Sequence, residues 1–247
     1  MPEMLVKLGY DYCHKKHPIV IDLNKIAAHM ALVGSSGSGK SMATLYTLYN
    51  VLKLKEKVEL YIGDFKKSGD YFKLSDNFAE FDKVVDLIDK FYKLFENTPE
   101  DCNIIRILIL DEYAGMVSWL EQEDKKRCES TKSKVSRLLM LSRSKHMFVW
   151  CIQQRMSASL FPSAAGSVDN FGVCIGFGRL SPDSKRALFA NEHFENEEFE
   201  MKYKPGTGEG ICLIAGQPLY ALQIPRIPDK ERLKRLLRKL AAEKNAL

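Results

Sequence analysis

Short apolar runs alternate with amphipathic stretches along this chain. Met30-Ala31-Leu32-Val33, Val58 to Ile62, Ile104 to Leu110, Met147 to Ile152 and Val173 to Phe177 have strand length and are apolar almost throughout. Runs of this kind, rather than alternating ones, mark strands covered on both faces. Between them, apolar residues recur at helical spacing over Ser41–Lys53, Phe81–Phe95, Asp124–Ser144 and Asp183–Ala190. Strand and helix in alternation predict an α/β fold with a parallel sheet and crossover helices. Ile211–Ile214 and Leu219–Ile224 are two further strand-like pieces, and the Gly216-Gln217-Pro218 break between them predicts a hairpin. The tail, Asp229–Asn245, reads as a basic amphipathic helix. Leu233, Leu236, Leu237 and Leu240 share one face, and Arg232, Lys234, Arg235, Arg238 and Lys239 mostly fill the other, as in a packing helix with a solvated side.

Bulk composition narrows the class. A chain of 247 residues with 45% hydrophobic and 28% charged residues suits one well-buried globular domain and excludes a disordered chain. The net charge of +5 permits contact with nucleic acid without requiring it. Six cysteines form no C-x-x-C pair and no zinc pattern with histidine. Cys151, Cys174 and Cys212 fall inside apolar runs, which predicts buried thiols and a reducing, cytoplasmic setting. No signal peptide and no run of the ~20 apolar residues needed to cross a bilayer is expected, so membrane association would come through a partner.

The chemistry starts at Gly34-Ser35-Ser36-Gly37-Ser38-Gly39-Lys40-Ser41, which fits the P-loop pattern G-x-x-x-x-G-K-[ST]. Glycines let the backbone turn tightly and approach an anion, and the loop's N–H groups with the following helix N-terminus surround phosphates. Met42 closes the expected binding set. Lys40 would serve the β- and γ-phosphates, and the Ser41 hydroxyl is placed to ligate Mg²⁺. The flanks are right: an apolar strand precedes the loop and a helical pattern follows it.

Some 70 residues further on, Ile107-Leu108-Ile109-Leu110 runs into Asp111-Glu112. A buried strand ending in acids delivers carboxylates to the sheet edge where open α/β folds bind ligands. Asp111 is the expected Mg²⁺ holder and Glu112 the general base that activates water. Met147 to Ile152 leads into Gln153-Gln154-Arg155, where Gln154 could touch the γ-phosphate or the attacking water. A sensor beside a catalytic glutamate predicts an extra strand between the P-loop strand and the acid-bearing one. Arg106, inside an apolar run, must either point out at a strand end or pair with an acid.

In order along the chain, these motifs resemble the motor domain of FtsK/SpoIIIE-type DNA translocases, within the HerA/FtsK superfamily of P-loop ATPases. The likeness runs from about Leu8 to Leu237. Ile62-Gly63-Asp64-Phe65-Lys66 is similar to the family's "DPK" segment, Asp111-Glu112-Tyr113-Ala114 to its "DEFA", and Ser142-Arg143 with Val149 to Arg155 to its "AR…VLATQR". Asn170-Phe171 with Asp183-Ser184-Lys185-Arg186 is similar to "NFP…DSR", and Gly208-Glu209-Gly210 falls at its Gly-x-Gly. The resemblance implies a RecA-like P-loop ATPase domain over residues 1–228, with a mostly parallel central sheet flanked by helices, followed by the basic helix over 229–247. It further implies ATP and Mg²⁺ as cofactors, a homo-oligomeric and hexameric ring, and double-stranded DNA as cargo. A neighbouring subunit would supply an arginine to the γ-phosphate; Arg186 is the best match and Arg179 the next.

The sequence departs from the family at Cys174, Gly178, Gln153, Met156 and His146, the last standing where a glycine is usual. The absence of family membrane segments and of a DNA-orienting winged helix fits a motor of a mobile element, or a conjugation-type coupling or packaging ATPase with a membrane or relaxase-type partner. A nucleotide-regulated assembly module is the remaining alternative. Pore-facing candidates for gripping DNA phosphates are Lys66, Lys67, Ser68, Arg155 and Ser157 to Ser159.

Overall fold

A computed structural model of the chain describes residues 3–13, 17–26, 28–162, 167–190, 192 and 205–245. The strands in chain order are β1 (Leu5–Asp11), β2 (His17–Asp22), β3 (Met30–Gly34), β4 (Lys57–Asp64), β5 (Asn77–Glu80), β6 (Ile104–Asp111), β7 (Met147–Gln153), β8 (Val173–Phe177), β9 (Glu209–Ile214) and β10 (Tyr220–Gln223). The helices are α1 (Lys40–Leu52), α2 (Lys83–Asn97), α3 (Tyr113–Glu123), α4 (Lys125–Leu141), α5 (Pro182–Phe189) and α6 (Lys230–Asn245).

These strands form one sheet of order β2-β1-β10-β9-β8-β3-β7-β6-β4-β5. From β8 to β5 every neighbouring pair is parallel; β9, β10, β1 and β2 extend it with antiparallel pairs, and β9–β10 is the expected hairpin. This is the mostly parallel, RecA-like sheet read from the sequence. β7 lies between the P-loop strand β3 and the acid-bearing β6, as the sensor motif predicted.

Strand pleating divides the core into two layers, because successive side chains point to opposite faces. Met30 and Leu32 of β3, Ile107 and Ile109 of β6, and Phe148, Trp150 and Ile152 of β7 join α1 and α6 on one face. Ala31 and Val33, Leu108 and Leu110, and Met147, Val149 and Cys151 meet α2, α3 and α4 on the other. Both faces are dry, which is why these strands read as unbroken apolar runs.

Arg106 pairs with an acid: its Nε lies 2.7 Å from Glu59 Oε2, across the β4–β6 register. Asp124 caps α4 by accepting the Arg127 N–H, so that helix starts one residue later than its periodicity suggested. In α6, Leu237 and Ala241 enter the core while Leu236 is exposed, a correction to the four-leucine face. Lys234, read onto the solvated side, is buried, and so is Lys244 further along the helix; Lys244 donates to the Leu54 carbonyl, and long stems can cover apolar surface while their ammonium groups bond at the edge. Among the described residues, no helix is long and apolar enough to cross a membrane.

Candidate nucleotide site

The parallel strands end together at one edge of the sheet. β3 runs into the P-loop, β6 ends at Asp111 and β7 at Gln153; Val33 is the register partner of Gln153, and Asp111 of Ile152 and Asp64. A pocket of about 360 Å³ opens there. Ser36, Gly37, Gly39, Lys40, Ser41 and Met42 form one wall; Asp111, Glu112 and Gln154 form the facing one. Gly34, Ser35 and Ser38 complete the loop behind this wall. The expected phosphate loop, acids and sensor amide therefore converge on one cavity.

Gly39 stands at φ 110° immediately before α1, with no side-chain cap on the helix. The free N–H groups of the first turn are left facing the pocket, where an anion would find them. The glycine is required twice over. Besides the left-handed backbone, a β-carbon at Gly39 would stand 2.7 Å from the Gly208 nitrogen. Gly208, itself at φ 79°, donates its N–H to the Ser38 carbonyl at 2.9 Å and so buttresses the loop from outside. Lys40 Nζ curls back onto the carbonyls of Gly34 and Ser35, at 2.6 and 2.9 Å. Burial draws its pKa down, while Glu112 and Asp111 pull the other way.

Asp111 is pushed up to about 7, first by burial and then by the charges of Asp64, Glu112 and Asp70. Asp64 is fully buried; its Oδ2 accepts from Ser68 Oγ at 2.9 Å and Gly69 N–H at 3.1 Å, while Oδ1 has no hydrogen-bond partner among the described residues. A hard cation suits this crowd of carboxylate oxygens next to the Ser41 hydroxyl. Among the described residues no group of three or more His, Cys, Asp or Glu side chains is placed to hold a metal ion.

Glu112 adopts φ 61°, a left-handed conformation costly for a residue with a β-carbon and typical of functional positions. It is held there by its N–H, which donates to the Ile152 carbonyl at 2.7 Å. Gly115 makes room for it, since a β-carbon there would sit 2.9 Å from Glu112 Cγ. The carboxylate is ion-paired with Lys66, and Gln154 Nε2 donates to it at 3.4 Å.

Other expected residues lie elsewhere. Arg186 on α5 and Arg179 after β8 are exposed, and neither lines the pocket. Lys66 and Ser68, read as pore-loop residues, are in the pocket wall; Lys67, Arg155, Ser157 and Ser159 are exposed. The side chain of residue 158 falls outside the described ones. Gln153 is fully buried with its Nε2 directed at the Met156 sulfur. His146, at the family's glycine position, has φ 51°. Asp70, Thr207 and Lys230 also line the pocket and were not anticipated. For Asp70 a signal existed in the Ser68-Gly69-Asp70 turn after the strand; for Lys230 there was none, because only the tertiary fold brings α6 there.

The model of the FtsK/SpoIIIE family matches residues 2–97, which contain the P-loop and the strand after it. No curated protein matches the sequence. Among solved structures, the pCW3 conjugation coupling protein TcpA with ATPγS superposes at TM-score 0.71 and 18% identity, covering 95% of this chain and 70% of that one. The cytoplasmic domain of the type VII secretion ATPase EccC from Thermomonospora curvata gives 0.67 and 16%, over 96% of this chain and 31% of EccC. VirB4 of Thermoanaerobacter pseudethanolicus gives 0.67 and 10%, over 92% and 98%. The chain thus spans about a third of EccC. At these identities the structures establish a shared fold, and the resemblance to FtsK/SpoIIIE-type P-loop ATPases stands.

Proposed function

We propose that this chain, similar to the FtsK/SpoIIIE family in sequence over residues 2–97 and to P-loop ATPases in fold throughout, is an ATP-hydrolysing motor that moves double-stranded DNA. The observation that carries the reading is the convergence of Lys40 and Ser41 with Asp111, Glu112 and Gln154 on one pocket. A phosphate-binding switch without turnover has no need of a glutamate held in a strained conformation opposite the loop.

In this reading the P-loop N–H groups and Lys40 bind the polyphosphate. Ser41 and Asp111 would hold Mg²⁺, which supplies charge neutralisation at the γ-phosphate when bound. Glu112 takes the proton from the attacking water, and Gln154 orients that water against the Glu112 carboxylate. Arg186, exposed on α5, is available to the pocket of a neighbouring subunit in a hexameric ring, where it would neutralise charge developing on the γ-phosphate. Arg155 and the serines after β7 would meet DNA phosphates, which provide grip without base readout.

A second reading has its own support: likeness to a conjugation coupling protein and to a secretion ATPase allows a nucleoprotein or protein cargo and a membrane-bound partner. Steady-state ATP hydrolysis with and without duplex DNA separates the two. Duplex stimulation of tenfold or so supports the DNA motor, and stimulation by a protein partner alone supports the coupling ATPase. An absence of turnover under both conditions rejects both.

A further inference from the structure

The segment after β4 touches both halves of the site. Lys66 pairs with Glu112, Ser68 and Gly69 hold Asp64, and Asp70 faces the Ser41 hydroxyl. Asp70 also receives two lysines from the first turns of α6: Lys230 Nζ at 2.6 Å and Lys234 Nζ at 3.8 Å from Oδ1. These lysines differ in setting. Lys234 has a side chain 10% exposed, lies 3.2 Å from Glu231 and donates to the Gly69 carbonyl. Lys230 has a side chain 36% exposed and opens onto the pocket.

We propose that Lys230 is a further phosphate-contacting residue of the nucleotide site, stored on Asp70 while the pocket is empty and passed to the polyphosphate when nucleotide binds. The inference rests on the nucleotide reading of the P-loop. Three features carry it. Lys230 is an ammonium on a long flexible stem at the wall of a cavity built for anions. A triphosphate carries more charge than the single carboxylate now holding it, so the ammonium gains by transfer. Asp70 would not be stranded, because Lys234 and the Ser41 hydroxyl remain beside it. Since α6 packs on α1 and β4, the same transfer reports pocket occupancy to the C-terminal helix.

The test uses fluorescent mant-ATP and mant-ADP titrated onto the full chain, with Lys230→Ala compared with Lys234→Ala. Lys230→Ala is expected to weaken mant-ATP binding about tenfold, as for loss of one charge-assisted contact, and mant-ADP less. Lys230→Arg should recover most of the affinity. Lys234→Ala should lower the melting temperature of the unliganded protein while leaving mant-ATP affinity within about twofold of wild type. Wild-type protein that fails to bind mant-ATP overturns the nucleotide reading itself. Wild type that binds, with Lys230→Ala binding equally well, overturns this inference alone. If Lys230→Ala does not fold, Lys230→Met keeps the stem and serves in the same comparison.

Discussion

The Lys66 ammonium is ion-paired with Glu112 Oε2, the same oxygen to which the Gln154 amide donates. The proposed general base is therefore engaged on the side from which it would accept a proton. A carboxylate oxygen held by an ammonium and an amide is not free to meet water, so the Lys66 pair must loosen before Glu112 can act. Lys66→Ala is expected to raise the DNA-free ATPase rate about fivefold, the equivalent of ~1 kcal/mol for a half-exposed pair. The ratio of stimulated to basal rate should fall accordingly. A basal rate at or below wild type would show that Lys66 does not restrain the glutamate.

Glu112→Gln removes the base but keeps the side chain's shape and its contact with Gln154. ATP should still bind, with hydrolysis slowed by roughly 10²–10⁴. Filter binding of labelled ATP alongside single-turnover hydrolysis checks both parts. Turnover near wild type would mean that another group, or water alone, takes the proton.

Gly39 and Gly208 share one contact but do not tolerate a side chain equally. At Gly39 the left-handed φ of 110° coincides with a β-carbon clash at 2.7 Å against backbone, which cannot swing away. At Gly208 the φ of 79° is unfavourable, yet the nearest atom to a new β-carbon is Ile224 Cβ at 3.9 Å. Gly39→Ala should cost ~3 kcal/mol and abolish nucleotide binding. Gly208→Ala should cost ~1 kcal/mol and leave binding measurable. Urea midpoints and mant-ATP titration read these effects, and equal losses at the two positions would contradict the asymmetry.

Much of this arrangement was legible because its signals are local. The apolar runs of β3, β6, β7 and β8 declare doubly covered strands, and the P-loop spacing is a backbone requirement written directly into glycine positions. β5 was not legible: Asn77–Glu80 is a short edge strand whose four residues are all half-buried, without an apolar stripe. Helix α3 was hidden for another reason. Its first residues read as the end of the acid motif, and its start depends on the left-handed turn at Glu112. Lys66 reads as a pore-facing residue and Asp70 carries only the signal of its turn; the parallel register of β4 with β6, which sets Asp64 beside Asp111, brings that loop onto the pocket.

Arg186 tests the proposed ring. It is exposed on α5 and does not line its own chain's pocket, as a residue serving a neighbour would be. Mixing wild-type with Arg186→Ala subunits should depress ATPase activity more steeply than the wild-type fraction falls, because each variant subunit disables a site it does not own. A linear decline would assign Arg186 no role in trans. The same titration with Arg179→Ala distinguishes the two arginines.

His29 gives the fold a dependence on acidity that is separate from catalysis. Its ring is fully buried, Nδ1 accepts the Val149 N–H at 3.0 Å, and the ring meets Phe148 edge-on. Burial, with a smaller push from the Arg143 cation, lowers its pKa from 6.5 to about 3. The folded state therefore holds His29 neutral where the unfolded chain would protonate it. Between pH 6.5 and about 3 the unfolded state binds the extra proton, so this contribution to stability is complete above pH 6.5 and declines as pH falls. At pH 5 the loss should be ~2 kcal/mol, from a linkage of ~1.4 kcal/mol per pH unit. His29→Asn keeps an acceptor for Val149 but does not titrate. Urea unfolding of both proteins at pH 7.5 and pH 5 should show the wild type losing ~2 kcal/mol more than the variant. Parallel pH profiles would mean that His29 is protonated, or freed from its pocket, in the folded protein.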